Sequence, residues 1–172
     1  MPSTTSALVI ALPEVDLVLG DLRRAHDPSA RDGLPAHVTV LTPYVPLVEW
    51  SDTHARRLHT ALDGIRPFGA RLRRTGRFGD ATLFLVLEPE DVFCRLGRAV
   101  AAAFPEYPPY GGAFSEILPH VTLAHGVPTD VLNDVERRVA GVTDIGAHVT
   151  TLTLYEKRPG RPWQAGPSVA LA

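Results

Sequence analysis

Two kinds of apolar patterning alternate along this chain. Uninterrupted apolar runs at 7–12 (ALVIAL) and 82–87 (TLFLVL) read as buried strands. Helical spacing follows each one, with Val15, Val18, Leu19 and Leu22 after the first and Val92, Phe93, Leu96, Val100 and Phe104 after the second. Pro13 suits a first helical turn, and Asp27-Pro28 ends that helix. These stripes predict helices over 14–26 and 91–104. Ser51 and Thr129 then cap two further helices, 52–65 on Ala55, Leu58, Leu62 and Ile65, and 130–140 on Val131, Val135 and Val139. Period-two alternation predicts strands over 37–41, 68–78, 120–124 and 146–155, and the tail from 163 to 171 adds a last strand. Within 146–155 the alternation places Val149, Thr151, Thr153 and Tyr155 on one face and Leu152 and Leu154 on the other.

The order of these elements repeats. Strand, helix, short strand, helix, strand occupies about 7–78 and again about 82–155. The expected architecture is α+β: one bilobal domain over 1–172, with two antiparallel-rich sheets flanked by helices and a central cleft.

The short strand in third place carries nearly the same tetrapeptide both times, His37-Val38-Thr39-Val40 and His120-Val121-Thr122-Leu123. Alternation puts His37 and Thr39 on one face of the first, and His120 and Thr122 on one face of the second. With 7 His and 14 Thr in 172 residues, chance supplies about 0.6 His-x-Thr pairs, so the bare motif says little. Its recurrence at the same place in a repeated unit says more. A pseudo-twofold would set two imidazoles and two hydroxyls across one cleft.

Composition narrows the partners. A net charge of −2 lacks the basic excess of a protein that grips long nucleic acid. No long-duplex partner is expected, and a small or terminal nucleotide fits better. Sixteen of the 17 basic residues are Arg, a side chain suited to phosphate. Arg71, Arg73 and Arg77 share one strand face, which is either a solvated face or an anion-facing stripe, the solvated face being favoured. Cys94 is the single cysteine and reads as a buried apolar residue, with no thiolate cluster to hold zinc. The first twelve residues read as a strand and not as a signal peptide. No run reaches the ~20 apolar residues of a membrane helix. The expected location is the cytoplasm. The Pro-, Gly- and aromatic-rich segment 105–119 is long enough to be functional, and Tyr107 and Tyr110 could stack on a base or merely cover the core.

Imidazoles titrate near neutral pH. Two of them flanking a phosphorus can divide an in-line displacement, one taking a proton from water and the other giving one to the departing oxygen. Thr39 and Thr122 can donate to the non-bridging oxygens. Paired HVTV and HVTL in a duplicated α+β chain resemble the 2H phosphoesterase superfamily, and within it the bacterial 2′-5′ RNA ligase-like branch of RNA 2′,3′-cyclic phosphodiesterases. The resemblance covers 7–155. It implies metal-independent hydrolysis of 2′,3′-cyclic phosphate ends of RNA or of small cyclic nucleotides, without a cofactor, and the possibility of the reverse ligation. It also implies His37 and His120 as the acid-base pair. Thr39, Thr122, His125, Tyr44 and Tyr110 are the expected substrate contacts. Many family members carry Arg or Lys three residues after the second threonine. Here that position is His125, so a permanent charge becomes one that titrates. The first motif also runs into Thr42-Pro43-Tyr44, not the family's aromatic-ending strand. Two other readings remain open on the sequence. One is a non-catalytic nucleotide or RNA-end binding module on the same scaffold, and the other a metal site using His37, His120 and His125.

Overall fold

A computed structural model describes residues 3–115, 117–142 and 144–172. The first apolar run is β1 (Thr5–Ala11), buried on both faces between β2 (His37–Leu41) and β7 (Thr151–Lys157). Its sheet is closed by β8 (Gln164–Ala170), in the order β2-β1-β7-β8. The second sheet runs β5-β4-β3-β6, from β5 (Val121–His125), β4 (Thr82–Glu88), β3 (Phe68–Phe78) and β6 (Ile145–Val149). All the pairings are antiparallel.

Among the described residues, five α-helices flank the sheets: α1 (Pro13–His26), α2 (Pro28–Arg31), α3 (Asp52–Ala61), α4 (Glu90–Ala103) and α5 (Thr129–Val139). Glu14 and Asp16 sit in the first turn of α1 and Arg23, Arg24 and His26 in its last, which matches the helix dipole. The helix expected over 52–65 stops at Ala61, and Gly64 turns the chain in the left-handed region (φ +77°). α2 follows directly on the Asp27-Pro28 stop of α1. Asp27 starts it by accepting the Ser29 N–H (3.0 Å).

Elements from the two halves interleave. β3 ends the first repeat yet pairs with β4 of the second sheet, while β7 ends the second repeat yet pairs with β1 of the first. Helix α1 packs against β5 and β6, and α4 against β2. One continuous buried cluster joins Leu8 and Ile10 of β1 to Leu83 and Leu85 of β4.

The strand expected over 146–155 is two strands in different sheets, separated at Thr150. Ile145, Ala147 and Val149 point inward, and then Leu152, Leu154 and Glu156 do. Two successive outward residues, Thr150 and Thr151, reset the parity where the chain crosses over. Val149 therefore shares the core with Leu152 instead of the face of Thr151 and Thr153. The arginine stripe of β3 is paired: Arg71 and Arg73 with Asp144 (2.6 and 3.1 Å), and Arg77 with Glu136 (2.5 Å). It is a solvated ion-pair face. Cys94 is only partly buried.

Candidate functional site

β2 and β5 approach each other across the two sheets. Val38 and Val40, and Val121 and Leu123, are buried in the core. Thr39 and Thr122, on the alternate faces, are half-buried. His37 opens β2, and His120 immediately precedes β5.

Both imidazoles are fixed in the same way. His37 Nδ1 lies 2.7 Å from the carbonyl oxygen of Pro35, and His120 Nδ1 lies 2.6 Å from that of Leu118. A carbonyl only accepts, so each Nδ1 carries the hydrogen and donates it. In the neutral ring Nε2 then holds the free lone pair, and in the charged ring it holds the transferable proton. The carbonyl stands two residues before the histidine in both copies. The repeat therefore extends upstream of the tetrapeptide.

The surroundings differ. Burial pushes the pKa of His37 down to about 4. Its bond to the Pro35 carbonyl opposes the fall, the Arg23 cation adds to it, Asp27 opposes it, and His120 adds a little more. Burial also lowers His120, against its bond to the Leu118 carbonyl. His120 packs on the rings of Phe78 (4.9 Å, edge-on) and Phe84 (5.3 Å).

Of the expected residues, Thr39, Tyr110, His120, Thr122 and His125 line one cleft of about 690 Å³. His37 lies outside that lining but near enough to His120 for their charges to interact. His125 Nδ1 is 2.7 Å from the hydroxyl of Thr82, its partner across β4 and β5. Tyr110 takes a left-handed backbone (φ +50°), donates its N–H to the Thr42 carbonyl (2.6 Å) and meets Phe114 edge-on at 5.5 Å.

Tyr44 corrects the expectation. It is 2% exposed and packs against Phe104 (5.1 Å), Tyr107 (5.3 Å) and Trp50 (6.4 Å). Its hydroxyl is buried without a partner, and burial raises its pKa. It is a core residue, because the chain turns inward after β2, where Ser6 Oγ donates to the Tyr44 carbonyl (2.5 Å). Tyr107 belongs to that aromatic cluster and not to the cleft. Among the described residues, no three His, Cys, Asp or Glu side chains converge as a metal site, so His37, His120 and His125 do not form one. Nor is any helix long and apolar enough to cross a membrane.

The cleft also contains residues not anticipated from the sequence. Phe78, Phe114 and Leu118 give it an apolar rim, and Asp27, Pro28 and Ser29 bring the junction of α1 and α2 to its edge. Phe114 and Leu118 lie inside the aromatic loop that the sequence singles out. Phe78 and Asp27 had no such signal.

Residues 12–161 match the sequence model of the 2′-5′ RNA ligase superfamily. Three of the matching solved structures illustrate the shared fold. E. coli LigT complexed with 3′-AMP is 20% identical with a TM-score of 0.60, covering 98% of each chain. TT0787 of Thermus thermophilus is 23% identical with a TM-score of 0.61, covering 96% of this chain and 97% of that one. A third, E. coli LigT complexed with NADP+, is 20% identical with a TM-score of 0.59, covering 100% of this chain and 99% of that one. A search of curated protein sequences finds no match.

Proposed function

The chain belongs to the 2′-5′ RNA ligase superfamily, and from that membership we propose that it is a metal-independent phosphodiesterase opening 2′,3′-cyclic phosphates, on small cyclic nucleotides or RNA ends. One observation carries the proposal. Two histidines, one in each repeat, have Nδ1 tied to a carbonyl two residues upstream, so that both present Nε2 as the working nitrogen.

The steps follow from the two environments. His37, held neutral, takes a proton from the attacking water at Nε2 as the water oxygen bonds to phosphorus. His120 at the cleft wall gives its Nε2 proton to the departing ribose oxygen as the P–O bond breaks. The phosphate anion favours the imidazolium of His120 when it binds. Thr39 and Thr122 donate to the non-bridging oxygens. Proton exchange with solvent restores the pair.

The lining supports the small substrate over the long one. Among the described residues it includes no Lys or Arg, and it includes Asp27. A singly charged ester is tolerated there better than a chain of phosphates. Phe114, 62% exposed, and Tyr110, 36% exposed, offer ring faces to a base. E. coli LigT has been crystallised with 3′-AMP and with NADP+, and the proposal extends nucleotide binding to this cleft.

The test is turnover of a 2′,3′-cyclic nucleotide in EDTA by wild type, His37→Ala and His120→Ala, with the product assigned as 2′- or 3′-phosphate. Wild-type turnover with a loss of about 100-fold or more in each variant supports the mechanism. Binding of the same nucleotide without turnover replaces it with the binding-module reading.

A further inference from the structure

Arg23 is a charged side chain only 1% exposed, and a buried ion pair is seldom explained by stability alone. Its donors diverge to three acceptors. Nε donates to the Thr122 carbonyl (3.0 Å), Nη1 to Asp16 Oδ1 (2.7 Å) and Nη2 to Asp27 Oδ2 (3.0 Å). The other oxygen of Asp16 accepts the backbone N–H of Ala36 at 2.6 Å. A continuous chain of bonds thus runs from Ala36, next to His37, through Asp16 and Arg23 to Thr122, the middle of the second motif. It joins β2 of one sheet to β5 of the other through α1. Asp27 is itself braced by the Ser29 N–H (3.0 Å) and Oγ (2.8 Å), and both residues edge the cleft.

We propose that Arg23, with Asp16 and Asp27, is a positioning residue of the catalytic pair: the Asp16–Arg23 bridge sets the distance and alignment of the two motif strands so that His37 and His120 address one phosphorus. The inference rests on the paired-histidine reading above. A planar guanidinium with donors at fixed angles can hold three acceptors in divergent directions, and an ammonium cannot keep that geometry. The same groups act on His37 through space. Facing it are Arg23, Asp27, His120 and the Pro35 carbonyl, and of these the Arg23 cation opposes its protonation while the Asp27 carboxylate favours it.

Arg23→Lys, Arg23→Gln and Asp27→Asn test the bridge, with kcat and KM on a 2′,3′-cyclic nucleotide, thermal unfolding, and NMR titration of the histidine rings. Arg23→Lys keeps the charge and loses the fork. It is expected to remain folded and to lose about 10- to 100-fold in kcat, the scale of a misplacement near 1 Å, with KM within about threefold, the sign of an interaction spent in the transition state. A kcat per folded molecule equal to wild type overturns the proposal, since a merely structural arginine would lower the unfolding temperature and nothing else. Arg23→Gln should raise the His37 midpoint and Asp27→Asn should lower it, and a midpoint fixed in both also overturns it. Should Arg23→Gln not fold, Arg23→Lys and Asp27→Asn decide the matter. The titrations need no substrate. If wild type turns over no cyclic nucleotide, the phosphodiesterase reading falls, and opposite movements of the His37 midpoint still support the bridge.

Discussion

Charged groups stand beside His37, and aromatic rings stand beside His120. The backbone around the two is built alike: a half-buried threonine two residues on, apolar neighbours in the core, and Nδ1 tied to a carbonyl two residues back. Beyond that shell the repeat ends. Arg23 and Asp27 reach His37 from α1, whereas Phe78 and Phe84 of the second sheet hold His120. Matching local backbone thus supplies two equivalent nitrogens, and the neighbours that do not match make them unequal. Equal tetrapeptides need not mean equal roles.

The threonines offer the most severe test of the shared part. If both donate to the phosphate, Thr39→Val and Thr122→Val should each lower kcat by about 100-fold, as the loss of one oxyanion donor does. A loss confined to one of them would show that only one half holds the anion. The pH profile tests the unequal part. With His37 as base near 4 and His120 as an acid below the ordinary 6.5, kcat/KM should be greatest on the acid side of 6.5 and fall about tenfold per unit above the His120 midpoint. Reversed roles would leave His120→Ala with the alkaline limb still present.

Gly76 allows the His120 side to be disturbed alone. A Cβ there would come within 2.6 Å of the Phe84 ring, which packs on His120. Gly76→Ala should shift the His120 ring resonances and reduce kcat by several-fold, about 1 kcal/mol on the scale of overpacking, with His37 unmoved. Stability should sharpen the comparison more gently. His37 binds its proton more weakly folded than unfolded, so the unfolded chain takes up more protons between about 6.5 and about 4. Stability is then full above 6.5 and falls as pH drops toward 4. His37→Asn should flatten that slope more than His120→Asn does, as followed by denaturant titration at several pH values. Tyr44→Phe carries the smallest expected effect. It removes a hydroxyl with no partner, so activity should stay within about twofold and the unfolding temperature should not fall.

Periodic burial made much of the fold legible. The runs at 7–12 and 82–87 become β1 and β4, and the stripes of α1, α4 and α5 bury Leu19, Leu96 and Val135 as their spacing requires. The crossover at Thr150 leaves only a slight trace, the Thr150-Thr151 pair where the apolar positions skip from 149 to 152, and because threonine suits either face of a strand, a single strand over 146–155 reads straight past it. Thr39, Tyr110, His120, Thr122 and His125 do line one cleft, since strand parity fixes which side chains share a face. Tyr44 failed because it lies past Pro43, beyond the end of β2 and of that parity. Asp16 and Asp27 stand at helical spacing from Arg23, seven and four residues away, but the links from this network to Thr122 and Ala36 span 99 and 20 residues, which no period reports. One sign of it was present, however. Arg23 continues the spacing of Val15 and Leu19 along the apolar stripe of α1, and a cation on a core-facing stripe has to find buried partners.

The interleaving of the halves has a consequence for how the protein comes to life on the ribosome. A chain that has emerged through β5 already carries both histidines, yet its first sheet still lacks β7 and β8. β1 waits for partners more than a hundred residues downstream, with Val9 opposite Thr153, and such distant pairing forms slowly. Neither repeat is a rehearsal for the whole. The sheet that carries His37 is complete only when β7 and β8 arrive, so the cleft is expected to take its final form after both motifs have been made.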